Sequence, residues 1–367
     1  MKHLFSLING WAKGLYLGRG WGEAAEEGRD VADELLMEAR KNNMILKNSG
    51  TVCGEGSNCF AAACSQRGEK GVNQDCSIVC EVEFGSQEDM IFCGIFDGHG
   101  SWGHYVARKV RKSLPASLLC NWQKALALTS LDGNSTSICH SEIWKESFLR
   151  SCAAIDKELK ENPKLDSFNS GTTALSIVKQ GQLLVIANVG DSRAIMATRA
   201  DDGRLVPVQL TVDFKPNLPQ EAERITHCNG RVFCLRDEPG VHRVWLPNVE
   251  MPGLAMSRAF GDYCVKNFGV ISVPEITQRL ISGRDQFIVL ATDGVWDVIS
   301  NQEAVDIVSS TKDRRKSARR LVKCAVHAWK CKRRGIALDD CSAVCLFFHS
   351  SHPEPIYSTI PPSSRKA

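Results

Sequence analysis

Between about residues 59 and 349, short apolar runs alternate with helical patterns. The runs 76–82, 91–96, 172–178, 183–187, 287–291 and 343–348 are rich in Val, Ile and Phe and bounded by Gly, Asp or Asn, which predicts strands. Val106, Val110 and Leu114 share a helical face, as do Trp144, Phe148, Cys152, Ile155 and Leu159, predicting helices over 103–120 and 141–160. Ser300-Asn301-Gln302-Glu303 has the form of a capping box and predicts a third helix start. Runs 76–82 and 91–96 are joined by the polar stretch 84–89, and runs 172–178 and 183–187 by Lys179-Gln180-Gly181. Such short connections imply antiparallel neighbours. The expected class is α+β, with antiparallel sheets flanked by helices.

Residues 1–58 read as an extension with a Gly-rich opening and a helical pattern over 23–41. Residues 350–367 are rich in Pro and Ser and read as a flexible tail. The division expected is therefore 1–58, a domain over 59–349, and 350–367. No apolar run approaches 18 residues, so no membrane helix is expected. The N-terminus lacks a secretory apolar run, and Lys2 excludes N-myristoylation.

Composition changes the picture in two places. The sixteen cysteines form no C-x-x-C pair and several sit inside apolar runs, so reduced, buried thiols in a cytoplasmic or nuclear setting are expected rather than disulfides or zinc. The net charge of +3 hides a segment, 312–334, with eleven Lys or Arg and one acid, Asp313. Outside it the chain has 34 basic and 41 acidic residues, a net of −7. An acidic body with one basic stripe does not fit a general nucleic-acid binder. The apolar positions Leu321, Val322, Ala325 and Val326 make that stripe a solvated helix face, with a nuclear import signal as the alternative.

Candidate chemistry lies at strand ends. Asp97 and Asp293 follow apolar runs and each precedes Gly, Asp191 follows another, and Asp75 and the pair Asp339-Asp340 precede runs. One Asp-Gly after a strand is an ordinary turn. Antiparallel pairing, however, sets Asp75 beside Asp97, and Asp293 beside Asp339 if those strands pair likewise. Carboxylates this close repel unless a cation lies between them. Hard oxygen ligands select Mg²⁺ or Mn²⁺ over zinc. His99, between two glycines and two residues after Asp97, suits proton donation near neutral pH. Lys70 is a candidate cation for a phosphate.

Six motifs then stand in order: Lys70-Gly71-Val72-Asn73-Gln74-Asp75, Phe96-Asp97-Gly98-His99-Gly100, Ser170-Gly171-Thr172-Thr173-Ala174, 187–194 around Gly190-Asp191-Ser192-Arg193, 254–262 ending in Phe260-Gly261-Asp262, and 291–297 around Asp293-Gly294 and Asp297. Together they resemble the metal-dependent Ser/Thr protein phosphatases of type 2C, in particular plant-type members, over about 59–349. The resemblance implies a central antiparallel β-sandwich flanked by helices on both sides. It implies two Mg²⁺ or Mn²⁺ ions held by Asp75, Asp97, Asp293, Asp339 and the Gly98 carbonyl, with Asp191 and Asp297 serving, with Asp293, a weaker third. It implies attack on phosphorus by water activated between two ions about 3.5–4 Å apart, with Lys70 balancing phosphoryl charge and His99 as general acid. The implied partners are phosphorylated protein substrates, with no nucleic acid and no membrane, and a monomer is expected.

Three positions depart from that family's pattern. Gln74 stands where Glu is common, Lys70 where a phosphate-binding Arg is common, and Asp340 where Asn is usual. The last leaves Asp340 as an alternative ligand to Asp339, with the alignment through Cys341-Ser342-Ala343-Val344 favouring Asp339. The segment 216–252 corresponds to the family's variable flap. Leu235 falls where abscisic-acid co-receptors carry a receptor-contacting Trp, so that partnership is not expected, and Trp245 is read as packing. The competing readings are a catalytically weak or inactive binding module of the same fold and a two-metal nuclease or phosphodiesterase. Intact acidic positions argue against the first, the acidic body against the second.

Overall fold

The computed structural model describes residues 59–81, 90–131, 140–333 and 335–348. The extension with its 23–41 pattern and the 350–367 tail lie outside the described residues.

Two five-stranded antiparallel sheets face each other. One runs β1 (Phe60–Gln66), β16 (Cys341–Phe347), β15 (Asp285–Ala291), β8 (Arg193–Arg199), β9 (Leu205–Gln209). The other runs β14 (Glu275–Leu280), β7 (Leu183–Val189), β6 (Ala174–Gln180), β3 (Met90–Phe96), β2 (Cys76–Glu81). Ile91, Cys93 and Ile95 of β3 meet Met196, Ile288, Leu290 and Val344 between the sheets. Met90, Phe92 and Phe96 point outward under helices. Both faces of each central strand are thus covered, which is why these strands read as continuous apolar runs rather than alternating ones.

Helices α1 (Gly103–Leu131) and α2 (His140–Glu161) close the outer face of the second sheet, with Val110, Leu114, Trp144 and Phe148 over Phe92 and Val185. The first reaches well past the 103–120 that its apolar stripe predicts. Beyond β9 lies a flap, α3 (Pro219–His227) with the three-stranded sheet β10 (Arg231–Phe233), β11 (Arg243–Leu246) and β12 (Val249–Leu254). It has its own small core of Ile225, Val244, Leu254 and Met256. Trp245, next along β11, is buried and stacked on Phe233 at 5.2 Å. A short helix α4 (Tyr263–Lys266) follows. Over the first sheet lie α5 (Asp293–Trp296), α6 (Asn301–Ser309) and α7 (Ser317–Lys332), burying Val305, Leu321, Val322, Ala325 and Trp329. Ser300 caps α6 in the capping box that its sequence predicts. The result is helix, sheet, sheet, helix: the α+β sandwich expected.

The predicted pairs form: Cys76 stands opposite Phe96, and Ala174 opposite Val189. The run 172–178 differs, because it breaks at Thr173, whose N–H donates to the Asp97 carbonyl at 2.9 Å. Its first part becomes β5 (Gly171–Thr172), the centre of a small sheet between β4 (Gly98–His99) and β13 (Phe260–Gly261). Among the described residues no disulfide joins the cysteines, and no helix is long and apolar enough to cross a membrane.

Candidate active site

Strand register assembles the site. Since Cys76 pairs with Phe96, Asp75 and Asp97 are the next positions beyond the ladder at one end of the second sheet. In the first sheet Ala291 pairs with Ala343, and the Thr292 N–H donates to the Ser342 carbonyl at 3.2 Å. Asp293, at the start of α5, therefore lies against the 339–341 segment. Stacking of the sheets brings both ends to one rim.

The electrostatics show how close the carboxylates come. Burial, then the charges of Asp75, Asp293, Asp339 and Asp191, hold the Asp97 carboxyl well above the ordinary range. Burial and the charges of Asp340 and Asp339 do the same to Asp75. Asp293 is pushed up to about 7 by burial, Asp191 and Asp339, against a lowering by Lys215. Strand ends predict this convergence, and the sandwich makes it.

Each carboxylate is fixed locally. Buried Asp75 accepts a hydrogen bond from Thr292 Oγ1 at Oδ2 (2.9 Å), while its Oδ1 has no protein partner. Asp340 accepts from the Gly68 N–H (2.7 Å) and the Gln74 N–H (2.8 Å), one on each oxygen. Asp339 instead meets Lys70 Nζ at 2.5 Å. The two neighbours are thereby distinguished: Asp340 tethers the backbone, and Asp339 faces the rim. Gln74 ties the loop together, its Nε2 donating to the Gly100 carbonyl at 2.6 Å. Gly98 and Gly294 are there for space. A Cβ on Gly98 would lie 2.5 Å from the Gly103 carbonyl oxygen, and one on Gly294 only 1.9 Å from the Asp340 carbonyl oxygen.

Asp191 is buried on the same rim and ion-paired to Lys215, with Oδ1 unpartnered. Burial alone would lower the Lys215 ammonium, but Asp191 and Asp293 override it and hold its pKa up. Asp297, at the end of α5, is exposed at the edge of the cluster. His99 Nε2 lies 2.6 Å from Asp262 Oδ2, and Nδ1 has no partner. Burial would lower the His99 pKa, yet the Asp262 charge and hydrogen bond raise it. Among the described residues no three acidic, His or Cys side chains close around one point as a ligand cage. Lysines and backbone N–H groups hold the carboxylates instead.

Two residues at the site escape sequence reasoning. Lys215 carries no period or spacing signal. Asp262 falls within a recognised motif but receives no role, because its partner His99 is 163 positions away and joined only through two-residue strands.

The fold and rim define an α+β sandwich that gathers a cluster of carboxylates at one end. The family description "Protein phosphatase 2C" matches residues 62–332. The chain is 62% identical to "Probable protein phosphatase 2C 34" of Arabidopsis thaliana, covering 97% of this chain and 99% of that one. It is 60% identical to "Probable protein phosphatase 2C 48" of Oryza sativa subsp. japonica, covering 95% and 99%. A crystal structure of serine-threonine phosphatase 2C from Toxoplasma gondii shares the fold, with a TM-score of 0.70 at 24% identity over 79% of this chain and 95% of that one. The chain belongs to the protein phosphatase 2C family, in its plant-type branch, and is a protein serine/threonine phosphatase.

Proposed function

We propose that the 59–349 domain hydrolyses phosphoserine and phosphothreonine in phosphorylated proteins, using Mg²⁺ or Mn²⁺ held at the sandwich rim. The observation that carries this is the gathering of Asp75, Asp97, Asp293 and Asp339 with their pKa values pushed up by one another or by burial where a shift is resolved. The donor set fits a hard divalent cation: it is all oxygen, carboxylate and backbone carbonyl, and buried Asp75 Oδ1 and Asp191 Oδ1 lack any protein partner. Asp75, Asp97, Asp293, Asp339 and the Gly98 carbonyl would hold two ions, and Asp191 and Asp297, with Asp293, a weaker third. Bound there, such ions supply Lewis acidity, making water nucleophilic near neutral pH and neutralising phosphoryl oxygens.

The chain's own residues do the rest. Asp340 and Gln74 fix the backbone on either side of the acidic rim. Lys70 is half-exposed at the rim beside Asp339, where its ammonium is placed to balance charge on a substrate phosphoryl oxygen. His99 gives a proton to the departing Ser or Thr oxygen. Asp262 occupies Nε2, so Nδ1 is the nitrogen left to face substrate.

The test is Mn²⁺- or Mg²⁺-dependent phosphate release from a phosphothreonine peptide. Asp97→Asn and Asp293→Asn are each expected to lose about 100-fold or more in kcat. Full turnover by either variant, or undiminished activity after chelation, would overturn the assignment.

A further inference from the structure

The basic stripe plays no part in the chemistry above. On α7 and the turn before it, Lys316, Arg319, Arg320, Lys323 and Lys330 are all exposed, and they recur at three- and four-residue steps along one helix face. The opposite face carries Leu321, Val322, Ala325 and Trp329 into the core. Among the described residues the only ion pair of these five is Lys316 with Asp313, at 3.8 Å. Arg320 donates to the hydroxyls of Ser310 and Thr311, and Arg319 to the Cys64 thiol. These partners are neutral. Apart from Lys316, the cations of this face meet no acidic partner among the described residues, on a body that is otherwise acidic.

The chain itself holds a matching row of anions. Glu23, Glu26, Glu27, Asp30, Asp33, Glu34 and Glu38 recur at the same three- and four-residue steps, with Arg29 the only base among residues 23–38. On a helical period all seven fall on one side. The segment is 16 residues long, and so is α7, which as a helix spans about 24 Å. The tether also fits. Twenty residues separate Glu38 from Cys59, a reach of up to about 66 Å. The described chain resumes beside α7, because Ala62 of β1 packs in the same core as Leu321 and Ala325.

We propose that the acidic segment 23–38 docks along the basic face of α7, in the same chain. Single surface ion pairs contribute little. Here several act in one array, and the short tether supplies an effective concentration of about millimolar order. The contact is accordingly sensitive to salt.

Zero-length carbodiimide cross-linking of the full chain, read by mass spectrometry, tests this. Intrachain links from Glu26, Asp30 or Glu34 to Lys316, Lys323 or Lys330 are expected at about 0.05 M salt and are expected to vanish at about 0.5 M. Replacing Lys316, Arg319, Arg320 and Lys323 together by Glu should abolish them. Adding Glu26→Lys, Glu27→Lys, Asp30→Lys and Glu34→Lys should restore them. Absence of links at low salt, links indifferent to salt and reversal, or links found only between isotopically distinct copies would each overturn the proposal. A second arm addresses external polyanions. With the acidic positions neutralised to Gln and Asn, the exposed stripe should bind a single-stranded DNA oligonucleotide or phosphatidylserine vesicles about 10-fold more tightly than the wild type does. Equal binding would show that the segment does not cover the stripe.

Discussion

At the scale of single residues, Asp339 and Asp340 show how two adjacent, chemically identical side chains receive different tasks. Sequence alone leaves them as alternatives, because a dipeptide at a strand start does not reveal which side chain turns inward. The structure separates them by what they accept: two backbone N–H groups of the 68–74 loop, one on each oxygen, for Asp340, and the Lys70 ammonium with the adjacent Asp340 N–H for Asp339. Asp340→Asn keeps one acceptor oxygen, loses one backbone hydrogen bond, and removes a charge that disfavours ionised Asp75. It is expected to retain activity within about 10-fold and to change stability by about 1 kcal/mol. Asp339→Asn is expected to raise the Mn²⁺ concentration needed for half-maximal activity by 10-fold or more, by about the margin that lost ligand support carries. Metal titrations of phosphate release on both variants check this, and equal behaviour would remove the distinction. The His99–Asp262 pair lies beyond single-residue reading altogether, since neither side chain carries any mark of the other.

At the scale of elements, the strands that were legible are those buried on both faces. β2, β3, β6, β7, β15 and β16 announce themselves as apolar runs, and two of their pairings follow from short connections. β1 does not, because Phe60-Ala61-Ala62-Ala63-Cys64 offers small side chains with little strand preference. β14, half-buried as Glu275-Ile276-Thr277-Gln278-Arg279-Leu280, presents an edge pattern too weak to stand out. The two-residue strands of the small sheet have no period at all, yet they deliver His99 to Asp262. Close approach is just as invisible in sequence. Gly294→Ala must push the Asp340 carbonyl aside, which is expected to cost roughly 1–3 kcal/mol in a urea melt and to cut activity with it. The flap is anchored by another such contact. Buried Glu221, near the start of α3, accepts hydrogen bonds from Arg224, Arg258 and Ser257, and the Arg258 guanidinium lies 3.7 Å from the centroid of the Phe214 ring. Burial opposes ionisation of Glu221, but those donors and the Arg258 charge bring its pKa down to about 2. A carboxylate with a depressed folded-state pKa stabilises the fold fully above its unfolded value and loses that contribution as pH falls through the folded value. Against an ordinary value of 4.5, the shift corresponds to about 3 kcal/mol. The stability gap between wild type and Glu221→Gln should thus be full at pH 7 and shrink between about pH 4.5 and 2. A gap that is constant with pH would mean that the charge of Glu221 is not what holds the flap.

At the scale of the whole molecule, the rim is where two separately stabilised sheets must tolerate one another. Asp75 and Asp97 belong to one sheet, Asp293 and Asp339 to the other, and each sheet is locked to its own helices. Nothing in either apolar core compensates the repulsion between them. In the structure Lys70 and Lys215 offset part of it, each engaging one carboxylate. A divalent cation held by carboxylates of both sheets, as proposed above, would offset more, and it would bind the unfolded chain far more weakly. Linkage then requires that the metal raise the stability of the whole sandwich rather than of one element: at about 100 times its dissociation constant it adds about 2.7 kcal/mol. For a domain of this size that corresponds to a rise in Tm of several degrees, at about 2–4 °C per kcal/mol. Thermal melts with Mn²⁺ or Mg²⁺ against chelator should show that rise in the wild type. They should show little of it in Asp97→Asn or Asp293→Asn, which leave the cores intact and each remove one carboxylate ligand. Monovalent salt at equal ionic strength separates site binding from general screening. A wild-type Tm indifferent to Mn²⁺ and Mg²⁺ would mean that the rim holds its like charges by lysines alone. The carboxylates would then be structural, and the chemistry would have to be sought elsewhere on the sandwich.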